Sequence, residues 1–172
     1  PSLEGKISII PLMMGGESGQ ELLTQLTPIV YEIGSNARFM LESSAFKPLK
    51  ERTQIAVGIL RIRDLTKKSY LTTAELIGTK EDRDNNGNPA PFTKGIMTEQ
   101  GLHLLPAETA ARYIIGHGDD IKVGDPLWPM IRPIAGRDGG PSMFAAARRD
   151  DGLWFGGGWA DPGDEWNPDV RV

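Results

Sequence analysis

Cysteine is absent from all 172 residues, which removes disulfides, thiolate metal ligands and thiol nucleophiles together. Histidine occurs only at positions 103 and 117, so no HxH or HxxxH pair exists to start a metal site within one element. Neither an apolar secretion signal nor a run of about 18 apolar residues is read in the sequence. A cytoplasmic location is the expectation. Positive charge is also scarce: the net charge is −4 and the pI about 5.2, against the clustered Lys and Arg that phosphate binding requires. Nucleic acid is therefore not the expected partner.

What is present suffices for a folded core. Hydrophobic residues make up 39% and charged residues 24%, outside the range in which chains stay disordered. The length fits one domain spanning 1–172. Acidity rises along the chain, from 10 basic and 8 acidic side chains in residues 1–80 to 9 and 15 in residues 81–172. Residues 124–172 hold nine glycines, six prolines and all four tryptophans.

Hydrophobic periodicity predicts an α+β fold with helices on a mainly antiparallel sheet and a C-terminal third rich in strands and turns. Residues 6–13 read as a first strand. Ser18 and Glu21 form a capping box ahead of Leu22, Leu23, Leu26, Ile29, Val30 and Ile33 at helical spacing, interrupted by Pro28. A second short helix is expected over 35–43, a central strand over 53–64, and a third helix capped by Thr72. A polar excursion follows at 79–91, then a helix over 92–100 and another starting at Pro106. The last third should contain strands at 127–134, 142–149 and 153–159, the latter two joined through Asp150-Asp151-Gly152. Residues 169–172 alternate like the start of a strand, as though the natural chain continued past Val172.

Four motifs approach chemistry without completing it. Gly15-Gly16-Glu17-Ser18-Gly19 between strand and helix has the look of a nucleophile elbow or phosphate loop, but position 20 is Gln and no Lys precedes the Ser. Asp82-x-Asp84-x-Asn86-Gly87 reproduces the opening of a calcium loop, yet its twelfth position is Thr93 where a bidentate Glu is needed, so weak binding or none is expected. His117 stands beside Asp119 and Asp120, residue types suited to acid–base work or, with Ser18, to a small hydrolase. Pro1 could serve as an N-terminal base, but four residues separate it from the first strand. No catalytic residue, metal site or cofactor is assigned from these patterns.

The remaining feature is the stretch from Gly152 to Pro168, in which Trp159 and Trp166 accompany Gly156, Gly157 and Gly158 and the acids Asp161, Asp164 and Glu165. Tryptophan supplies large contact area at low entropic cost. This surface is the expected binding site of a non-catalytic interaction protein. Its partner is expected to be a protein or polar ligand, and the acids favour a basic one. Trp154-Phe-Gly-Gly-Gly-Trp159 is also loosely similar to C-type-lectin-like folds, which end in Trp- and Gly-rich antiparallel strands preceded by two helices. That resemblance implies a lectin-like arrangement as the alternative fold.

Overall fold

The structure, a computed structural model, describes residue 3 and residues 5–80 and 92–172. The polar loop with Asp82, Asp84 and Asn86 lies outside the described residues.

Strand β1 (Ser8–Met14) pairs antiparallel with β3 (Thr53–Ile59) in a ribbon whose register runs from Ser8 opposite Ile59 to Met14 opposite Thr53. Alternation buries Leu12, Met14 and Val57 on one face and exposes Ile9 and Met13 on the other. Helix α1 (Gly19–Leu26) begins at the expected box: the Glu21 amide donates to Ser18 Oγ at 3.1 Å, and the Ser18 amide donates to the Glu21 carboxylate at 3.3 Å. Leu22, Leu23 and Leu26 form its buried stripe. The helical spacing runs further in sequence than in space. Pro28 cannot donate to the preceding turn, and after it Glu32–Ile33 (β2) joins strand β9 (Gly152–Trp159) in parallel. Helix α2 (Ser35–Glu42) then packs against β9 through Ala37 and Met40.

Strand β3 is not central. Among the described residues it pairs with β1 alone, and beyond it Leu60 exchanges two backbone hydrogen bonds with Val172 before the chain turns into a 3-10 segment at Ile62–Asp64. The alternation at Arg61 and Arg63 follows from that exit, because Arg61 turns to Asp125 and Arg63 to Asp169. Strand β4 (Leu71–Thr72) leads into α3 (Thr73–Ile77), whose N-terminus Thr72 caps as expected. Strand β5 (Gly78–Lys80) pairs with β6 (Phe92–Lys94), so the helix expected from residue 92 starts only at α4 (Ile96–Glu99). Gly95 marks the crossover, since a Cβ there would lie 2.5 Å from the Leu76 carbonyl oxygen. Gly101, at φ +83°, stops α4.

Helix α5 (Thr109–His117) packs on β1 and on strand β8 (Pro141–Arg149). The main sheet runs β2, β9, β8 and then β7 (Ile134–Ala135), antiparallel except at β2. The strand expected over 127–134 shrinks to β7 plus isolated bridges from Leu127 to Ala146 and from Leu105 to Ile131, because Pro129 and Pro133 have no amide to give a ladder. In the β8–β9 hairpin, Arg149 pairs with Gly152, leaving Asp150 and Asp151 as the turn. Strand β10 (Glu165–Trp166) pairs with β4. Phe144 and Phe155 stack at 5.2 Å in the core between this sheet and the helices. The architecture is α+β.

Candidate binding surface at the C-terminal end

The three consecutive glycines of β9 are each met by a different neighbour. A Cβ on Gly156 would lie 2.0 Å from the Trp154 ring, one on Gly157 would lie 2.9 Å from Met40 Sδ in α2, and one on Gly158 would lie 2.4 Å from the Trp128 ring. The glycines therefore admit close packing, and their side of the strand is covered by Trp154, Met40 and Trp128. Trp154 folds over Gly156 and carries the Arg149 guanidinium 4.8 Å from its ring centre, so its faces are engaged.

Trp128, held over Gly158, meets Trp166 edge to face at 5.2 Å and 88°. Trp166 is only 7% exposed and its indole N–H donates to Thr73 Oγ1 at 2.8 Å, which ties β10 to the start of α3. Trp159 is 56% exposed, with its ring against Gly140. The two tryptophans expected to act alike thus differ: Trp166 is a packing residue presenting part of its ring, and Trp159 is open. Together with Trp128, Asp164, Glu165, Asn167 and Val170 they line a shallow depression of about 430 Å³. Trp128 falls within the strand expected over 127–134 and is not among the residues the sequence singles out for binding; its packing over Gly158 is what brings it to the depression.

The acids at this end are placed by a tight turn. The Asp164 amide donates to the Asp161 carbonyl, and the Asp161 amide donates to the Asp164 carboxylate, both at 3.0 Å. Asp161 and Glu165 are exposed and Asp164 half-buried. Among the described residues, none of the three carboxylates has a cation within ion-pair distance, whereas Asp169 is paired with Arg63 at 2.8 Å.

The other sequence motifs are absorbed by structure. The Gly15 amide does point at an anion, but that anion is the protein's own Glu108, fully buried at the start of α5. Glu108 Oε2 accepts from Gly15 N at 3.1 Å and Arg112 Nε at 2.9 Å, and Oε1 accepts from Leu49 N at 2.8 Å. Arg112 further donates to Glu17 at 2.6 Å and to the Gly15 carbonyl at 2.7 Å. Burial lowers the affinity of Arg112 for its proton, but the hydrogen bonds and charges of Glu108 and Glu17 outweigh it and leave the pKa raised. Ser18 Oγ is occupied as a cap. The one carboxylate within ionic reach of His117 among the described residues is Asp120, at 3.9 Å and in the same segment. His117 also lies 5.4 Å from the Tyr113 ring. No hydrogen bond joins His117 to Ser18 among the described residues.

A second cluster binds the chain's last residues. Arg61 donates to both Asp125 carboxylate oxygens at 2.9 Å and Arg171 approaches the same group at 3.8 Å. The bond from Arg61 is the main reason that the Asp125 pKa lies below the usual carboxylate value; burial opposes it and the two guanidinium charges add to it. A groove of about 480 Å³ beside β3 is lined by aliphatic side chains such as Ile7, Ile55, Leu102 and Met130, with His103 its one titratable group.

No helix among the described residues is long and apolar enough to cross a membrane. No protein-family model, curated protein or solved structure matches the chain.

Proposed function

We propose that the protein is a non-catalytic binding protein that engages a protein or polar ligand through its C-terminal tryptophan and acid surface. The observation that carries this reading is the depression in which Trp128, Trp159 and Trp166 meet two carboxylates without ion-pair partners among the described residues. Elsewhere, Ser18 is engaged as the cap of α1, and Glu108 and Arg112 join β1 to α5. An exposed indole beside fixed polar groups is the composition of an interaction hot spot. Affinity capture from native extract, with wild-type protein and Trp159→Ala as baits, tests the reading. A partner should be recovered by wild type and lost, at unchanged melting temperature, by Trp159→Ala. Recovery of the same partners by both baits would refute it.

A further inference from the structure

We propose that the depression receives an alkylammonium group, presented by a basic side chain of the partner, against its tryptophan walls; the inference rests on the binding reading above and names its ligand class. Trp128 and Trp166 meet edge to face and both line the depression, and Trp159 supplies the open indole face beside them. Indole faces carry the negative lobe of the ring quadrupole and attract a cation within about 6 Å of the ring centre. The charges agree in sign. Asp164 and Glu165 belong to the lining, and no basic side chain does. An anion would meet two carboxylates, and the Trp166 N–H that could have donated to it is committed to Thr73. The Trp154 ring, which has the same chemistry, already carries the Arg149 guanidinium. Trp159 has no such internal cation among the described residues. Its ring lies against Gly140, where a Cβ would fall 2.7 Å from it. A volume of about 430 Å³ admits a methylated ammonium with part of its alkyl stem.

The test titrates the full chain with a short peptide bearing trimethyllysine and with the same peptide bearing its uncharged tert-butyl isostere, followed through the indole N–H resonances. The charged peptide should shift the Trp159 and Trp128 signals and bind about three- to tenfold tighter than the isostere. That preference should shrink on raising salt from about 0.05 to about 0.5 M and in Glu165→Gln, whose carboxylate makes no hydrogen bond within the described fold. Equal binding of both peptides overturns the cation inference while leaving a binding surface in place. Failure of either peptide to move the Trp159 signal also overturns it, and the binding reading falls as well only if Trp159→Ala leaves partner capture unchanged.

Discussion

Replacing Glu108 by Gln changes one oxygen to an amide nitrogen in a fully buried group, and the structure shows why that small change is costly. Three donors converge on the carboxylate: the amides of Gly15 and Leu49 and Nε of Arg112. In either orientation of the glutamine amide, its NH2 faces at least one of these donors, so one hydrogen bond becomes a repulsion. Arg112, 6% exposed, loses one of its two anionic partners. Removing one member of a buried ion pair typically costs about 3 to 5 kcal/mol, since the other charge remains desolvated. For a chain of this size each kcal/mol moves the melting temperature by about 2 to 4 °C, so a fall of about 6 to 20 °C is expected. Urea unfolding followed by far-ultraviolet circular dichroism measures the free energy directly. The double variant Glu108→Leu/Arg112→Met removes both charges at once and should recover part of the loss. A loss under about 1 kcal/mol in Glu108→Gln would refute the view that this pair joins β1, the segment at Leu49 and α5.

Two further outcomes follow from burial and charge. Trp166→Ala should lose about 3 to 5 kcal/mol, because it empties the contact with Trp128 and removes the donor to Thr73 Oγ1, whereas Trp159→Ala should stay within about 0.5 kcal/mol of wild type; equal melting temperatures for the two variants would show the burial assignment wrong. The depressed pKa of Asp125 adds stability that is fully present above its unfolded value of about 3.9 and is lost as pH falls through its folded value. The stability gap between wild type and Asp125→Asn should therefore be largest near neutrality and shrink below about pH 4, and a gap constant with pH would count against the Arg61–Asp125 bond as its source.

The parts of this fold that sequence foretold are local. Ser18 with Glu21 and Thr72 with Glu75 lie three residues apart, so the cap and the residue it caps are visible in one window. The β8–β9 hairpin is equally short-ranged. What escaped is set by distant pairing: β2 has two residues, and its partner in β9 lies more than a hundred positions later, so nothing near Glu32 announces it. The edge position of β3 escaped for the same reason, since its apolar run is compatible with a ladder on both sides. At the candidate site, nothing in the glycine triplet itself names the side chains that pack over it. Trp154, Met40 and Trp128 come from three separate elements, and only their meeting shows that Trp159 is the exposed indole and Trp166 the buried one.

The distribution of charge between the two ends bears on why the C-terminal acids are there. Glu17 and Glu108 are matched by Arg112, Asp125 by Arg61 and Arg171, and Asp169 by Arg63; apart from Glu108 and Arg112, four residues apart, each pair ties together segments remote in sequence. The Gly15 loop illustrates the pattern, since the anion its amide faces is Glu108. Asp164 and Glu165 line the depression, Asp161 shares the turn with Asp164, and none of the three has an ion-pair partner among the described residues. Asp164 at least closes its turn through Asp161 N, but Glu165 makes no such bond, and an exposed unpaired carboxylate contributes little to folding. Neighbouring like charges at a rim destabilise the free protein slightly and favour a partner of opposite sign. Stability therefore accounts for the matched acids and leaves the Glu165 carboxylate without a bond in the described fold, and the proposed binding of a cationic partner beside the tryptophans would give it one.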